Sequence, residues 1–193
     1  MTADDLHRSV SPLQGARRGL ARPVRSLRLG MLSTYPPTVC GLATFASALE
    51  RGLRSLGHRV DMIGIDDGTL ESPTFGLTVA GVLRHGSRRS AMRAAAMLNQ
   101  CDTAIIQHEY GIYGGEDGAE VLEVLRELDV PTVVVLHTVP VRPSPNQASI
   151  LVRLCAMADL VVVMTGCAGQ RLLGHYPVDG SKVIEIAHGA LVG

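Results

Sequence analysis

The chain has 193 residues, enough for one domain with a sizeable core, and its 46% apolar content is that of a globular protein. Its 18 basic and 18 acidic residues balance, which argues against a general nucleic-acid binder. Aromatic residues make up 3% and Trp is absent, which argues against stacking platforms for bases or sugars.

Residues 1–26 mix Ser, Pro, Gly and Arg without periodicity and are expected to form a mobile tail. Arg8, Arg17, Arg18, Arg22 and Arg25 lie there without an apolar core, so the segment is no signal peptide. It reads as a solvated leader, the alternative being a peripheral contact with anionic lipid. From Leu27 the pattern becomes regular. "LRLGMLST" predicts a buried strand, and "LATFASALERGLRSLG" predicts a helix with Leu42, Phe45, Ala46, Leu49, Leu53 and Leu56 at helical spacing. "HRVDMIGI" and "FGLTVAGVL" predict strands, and the Ala-rich "RRSAMRAAAMLNQ" a helix. "DTAIIQHE" predicts a strand, and "EDGAEVLEVLREL" a helix whose first residues, Glu116 and Asp117, suit a positive helix start. There follow "PTVVVLHT" (strand), "NQASILVRLCAMA" (helix), "DLVVVMT" (strand), "CAGQRLLGHY" (helix) and "KVIEIAH" (strand).

Strands and helices alternate, and several strands are unbroken runs of Val, Ile and Leu. Such runs are buried on both faces. The chain is therefore expected to be an α/β, Rossmann-like doubly wound domain with a mostly parallel sheet, and ligands of such folds bind at the carboxyl ends of the strands. At those ends stand Ser33-Thr34-Tyr35, Gln107-His108-Glu109-Tyr110, His137-Thr138, Thr165 and His188-Gly189. Cys40, Cys101, Cys155 and Cys167 show no CxxC spacing, and the histidines no HxxxH, so no metal site is expected. The cysteines fit a reducing cytoplasm, and no apolar run reaches the roughly 18 residues needed to span a bilayer.

The loop "STYPPTVCG" carries a rationale of its own. Pro36 and Pro37 stiffen the backbone, Gly41 permits close approach, and free N–H groups at the following helix start can hold a phosphate or sugar oxygen. GxGxxG and GxxxxGK[ST] are both missing, so the usual dinucleotide and P-loop readings fail. In "QHEYGIYGGEDG", Gly114 and Gly115 would let a ligand pack on the backbone; otherwise this is a flexible loop with His108 and Glu109 paired. His137 is either a donor to a sugar hydroxyl or to a developing charge, or a core histidine.

Taken in order, "STYPPTVCGLATF", "QHEYGIYGG", "VVVLHTV", "ADLVVVMT" and "KVIEIAHGA" resemble the N-terminal half of a GT-B-fold retaining glycosyltransferase of family 4, the group of bacterial mannosyl- and glucosyltransferases. The resemblance covers residues 27–190. It implies a hexosyltransferase whose N-terminal domain chiefly binds acceptor, while a C-terminal domain binds the nucleotide sugar. It places Cys40, Gly41 and Leu42 in the loop below the donor phosphate and His137 on the transferred sugar. Tyr35, His108, Glu109, Tyr110, Gly114 and Gly115 would lie on the acceptor side, with Thr138, Thr165, His188 and Gly189 elsewhere in the cleft. No cofactor is implied beyond the GDP- or UDP-linked donor, and the acceptor would be a glycan or a lipid-linked sugar. Cys40-Gly41 stands where many members have two glycines, and Thr138 where Asp is frequent.

On this reading residues 27–193 are the acceptor-side domain, cytoplasmic or peripheral at the inner membrane face. The donor domain would be missing or on a separate chain, the chain alone would be inactive, and its uncovered surface would self-associate. The alternative is a non-catalytic carbohydrate or nucleotide-sugar binding module. A nucleotide-sugar epimerase would require GxxGxxG and Tyr-x-x-x-Lys, and neither occurs.

Overall fold

A computed structural model describes residues 25–66, 68 and 79–189. The elements are β1 (Arg28–Ser33), α1 (Gly41–Ser55), β2 (Arg59–Asp66), β3 (Val79–Arg84), α2 (Arg88–Leu98), β4 (Thr103–His108), α3 (Val121–Arg126), β5 (Thr132–Leu136), α4 (Pro145–Met157), β6 (Leu160–Val163), α5 (Gly166–His175) and β7 (Val183–Glu185). The strands form one parallel sheet in the order β3-β2-β1-β4-β5-β6-β7. The winding reverses between β1 and β4, and doubly wound sheets open a crevice above such a point. This is the doubly wound, parallel α/β architecture expected from the alternation of strands and helices.

Local chemistry sets the helix ends. The α1 cap is the Cys40 thiol, whose Sγ accepts from Ala43 N at 3.3 Å. The helix stops where Gly57 takes φ +89°, a left-handed conformation that glycine enters without penalty. In α4, Ser144 and Gln147 cap reciprocally, with Pro145 in the first turn. The buried alanines of α2 (Ala91, Ala94, Ala95) let that helix lie close on the sheet. A Cβ at Gly30 of β1 would come within 2.7 Å of Leu98 Cδ2, so any larger residue there would push the Leu98 side chain aside.

The faces of the sheet are unequally covered. One buries Leu32, Ile106, Val134 and Leu136 under α2, α3, α4 and α5. The other carries α1, which packs Ala46, Leu49 and Leu53 against Leu29, Met31 and Met62. Over β5 and β6 no helix covers that second face among the described residues, and it holds a groove of about 530 Å³ floored by Ile105, Val133, Val135 and Val162, walled by Phe45, Leu49 and Leu53 and edged by Ile186 and His188.

Three elements depart from the sequence expectation by more than two residues at one end. The helix expected from Glu116 begins at Val121, because Asp117 (φ 53°) and Gly118 (φ 77°) are left-handed and Glu116–Gly118 forms only a 3-10 turn. The last strand, expected over 182–188, ends at Glu185. Beyond the bond from Ile186 N to Val163 O (2.9 Å) its neighbour β6 has already finished. The strand expected from Phe75 begins at Val79, and residues 75–78 lie outside the described residues. So does the expected tail, except for Arg25 and Ser26.

Candidate functional site

The loop from β1 to α1 ends in the cap. Thr34 Oγ1 lies 3.3 Å from Cys40 Sγ, and the Pro36–Pro37 bond is cis. Ala43 N is used by the thiol and Thr44 N by the Cys40 carbonyl (3.2 Å). The earlier amides, of Gly41 and Leu42, carry no hydrogen bond among the described residues. A Cβ at Gly41 would meet nothing within 4 Å, so the approach to these amides is open.

Side chains alternate along a strand. Gln107 pairs with Val135, and His108 with Leu136. Gln107 therefore shares the α1 face with His137, whereas His108 points to the opposite face. The His137 Nε2 atom lies 2.7 Å from Gln107 Oε1. Phe45, from the first turns of α1, packs edge-on against the His137 ring at 5.0 Å, and the same phenyl ring sits 5.0 Å from the imidazole of His188. Burial lowers the His137 pKa to about 4, and the neighbouring His188 adds to the shift, so this imidazole is neutral at pH 7.

The residues expected on the acceptor side take several positions. His108 is 0% exposed, T-shaped against Tyr110 (4.9 Å) and stacked on Tyr113 (6.3 Å). Neither of its ring nitrogens has a partner among the described residues, and its pKa is pushed down to about 4, first by burial and then by His137. Tyr35 is buried and donates its hydroxyl to Glu50, which is also paired with Arg54 at 2.8 Å. Tyr110 is buried and donates to the Gln147 carbonyl at 3.1 Å. The hydroxyls of Tyr35 and Tyr110 brace the loops after β1 and β4 against α1 and α4, while the His108 ring packs on the opposite face of the sheet. Glu109 is half-buried, accepting from Tyr110 N at 2.9 Å and from the Thr138 hydroxyl, so β4 and β5 are tied together at the rim. Gly114 packs against His85 and Glu120, and Gly115 holds φ +79° in the next turn. Thr165 caps α5 through Ala168 N at 3.2 Å, while His188 and Gly189 are exposed where the chain leaves the groove.

The crevice thus brings together Gly41, Leu42, Phe45, Gln107 and His137, with His188 at its side. The sequence marks Gln107 only as one of the polar strand-end residues and Phe45 only as an apolar helix position, and gives neither a part in the site. Alternation puts Gln107 in phase with Ile105 and His137 in phase with Val135, but the register that joins them, Gln107 opposite Val135, is set by the sheet. Cys40, Cys101, Cys155 and Cys167 are free thiols. No cluster of three His, Cys, Asp or Glu suited to a metal occurs among the described residues. Among those residues, too, no helix is long and apolar enough to cross a membrane.

A seven-stranded parallel sheet flanked by helices defines an α/β domain of the doubly wound, Rossmann-like class. The family model for Glycosyltransferase Family 4 matches residues 39–190, and the chain belongs to that family. Among solved structures it is similar to an alpha-glucosyltransferase in complex with UDP and a 13-mer DNA containing an HMU base. That match has 16% identity and a TM-score of 0.60, and covers 86% of this chain and 43% of that one. It is also similar to a glycosyltransferase from Rickettsia africae ESF-5, with 15% identity and a TM-score of 0.55, covering 85% of this chain and 43% of that one. The chain thus spans less than half the length of these structures. No curated protein sequence matches it.

Proposed function

We propose that this chain is the acceptor-side half of a glycosyltransferase that moves a hexose from a GDP- or UDP-linked donor to a glycan or lipid-linked acceptor, with retention at the anomeric carbon. In that reaction the bond from the sugar C1 to the diphosphate oxygen breaks, and a bond from C1 to an acceptor oxygen forms. The acceptor hydroxyl gives up its proton to the leaving diphosphate oxygen, and the diphosphate carries the remaining negative charge away. The free Gly41 and Leu42 amides at the positive end of α1 suit that charge. His137, neutral and beside this helix start, suits a contact with the transferred sugar.

The observation that carries the reading is this convergence: an unobstructed helix N-terminus and a strand-end histidine meet at the switch point of a family 4 chain. The donor's principal binding domain is expected outside these residues, since the similar structures are about twice as long. Transfer depends on holding donor and acceptor together. The chain alone should therefore turn over far below ordinary enzyme rates of about 1 per second or more.

The test is His137→Ala in a chain joined to its second domain. A sugar contact predicts a loss in kcat of roughly 10²-fold or more with little change in melting temperature. Near-normal kcat with a clear loss of stability would show a core histidine instead. Nucleotide-sugar binding without transfer in the joined protein would support the binding-module alternative.

A further inference from the structure

Gln107 is 0% exposed in the sheet, with its backbone carbonyl accepting from Tyr113 Oη at 2.7 Å. It stands opposite Val135 of β5, one residue beyond the last pairing of β4 with β1, and it lies on the crevice face. Its only side-chain partner among the described residues is His137, through Oε1 to Nε2 at 2.7 Å. The amide nitrogen is buried and has no partner among the described residues. The His137 ring is fixed from its flank by Phe45, at an interplanar angle of 85°. No bond to Nδ1 of His137 occurs among the described residues.

A neutral imidazole carries one N–H, and the partner of one nitrogen decides the state of the other. A carbonyl oxygen can only accept, so the nitrogen facing it must hold the proton. We propose that Gln107 is a positioning residue: its Oε1 holds His137 in the Nε2–H tautomer and leaves Nδ1 as the bare nitrogen, so that His137 can meet a substrate hydroxyl only by accepting its proton in a hydrogen bond. This rests on the reading of His137 as a sugar contact, and it reverses the donor role that a strand-end histidine suggests from sequence alone. A rigid buried amide is suited to the task because it cannot turn to water for an alternative partner.

The 193-residue chain, 15N-labelled at histidine, gives the test through two-bond proton–nitrogen correlations, with the His137 pattern assigned by its loss in His137→Asn. At pH 7 the wild type should show a protonated Nε2 and an unprotonated Nδ1. In Gln107→Leu, of similar volume and without the amide, that pattern should shift toward an average of both tautomers. An Nδ1–H or mixed pattern in the wild type overturns the proposal, and needs no variant that might misfold. An unchanged pattern in a folded Gln107→Leu overturns it too. The spectra report on the tautomer whether or not sugar is transferred. If His137→Ala leaves kcat intact while the Nε2–H pattern holds, the sugar-contact reading fails and the positioning stands.

Discussion

His108 and His137 lie on adjacent strands at nearly the same height, joined by the bond from His137 N to His108 O at 3.0 Å, yet their rings occupy opposite faces of the sheet. Both titrate at about 4 because burial disfavours the charged ring. An unfolded histidine titrates near 6.5. Above that value both states hold neutral rings, and the full stability is present. Between about 6.5 and 4 the unfolded chain takes up protons that the folded chain refuses, so stability falls as the pH falls; below about 4 these two groups add no further slope. For the fully enclosed His108 the loss across this window is of order 3 kcal/mol. Denaturant titrations at pH 7.5 and pH 5 should show it, and His108→Phe should shrink the difference between the two. Equal acid losses in both proteins would remove His108 from the account. A second residue-scale outcome concerns Gly41. An alanine there finds open space in a helical first turn, so stability should change by no more than about 0.5 kcal/mol. Its methyl group would nonetheless obstruct the two free amides, so diphosphate binding by the joined enzyme should weaken. Unchanged affinity would place the diphosphate elsewhere.

At the scale of elements, the alternation of strand and helix was legible because a parallel sheet buries strands on both faces, and that burial writes runs such as Val133-Val134-Val135 into the sequence. The start of α3 was not. Glu116 and Asp117 look like an acidic helix start, but the chain first turns left-handed at Asp117 and Gly118, where a Cβ on Gly118 would strike the Tyr110 carbonyl oxygen. That requirement comes from a residue eight positions away, and no window pattern carries it. Gly118→Ala should cost roughly 2 kcal/mol or more, from the left-handed backbone and the collision together. Urea denaturation measures this, and a loss under about 0.5 kcal/mol would contradict the geometry. The site was legible to the same partial degree. Strand ends announced His137, but the hydroxyl partners of Tyr35 and Tyr110 lie 15 and 37 residues away, so their bracing role emerges only from the folded chain. The α1 cap makes a further check. Cys40→Ser keeps an acceptor and should preserve stability, whereas Cys40→Val should lose about 1 kcal/mol. Equal stability of the two variants would mean the thiol is no cap.

For the whole molecule the unequal covering of the sheet matters most. The groove over β5 and β6, with exposed Ile186 at its edge, is apolar surface of the kind that drives association. The isolated chain should therefore grow in mean mass with concentration by light scattering, and Ile186→Lys should reduce the growth. A strictly monomeric protein at high concentration would count against this. The same asymmetry also divides the sheet in time. β1 lies beneath α1 on one side and close to Leu98 of α2 on the other, whereas β6 is roofed on a single side. Amide hydrogens survive longest where covered backbone opens only with the whole fold. Deuterium should thus enter β6 well before β1, although both strands have neighbours on either edge. The sheet is one hydrogen-bonded unit in space, but its open half would breathe on its own clock until something settles over the groove.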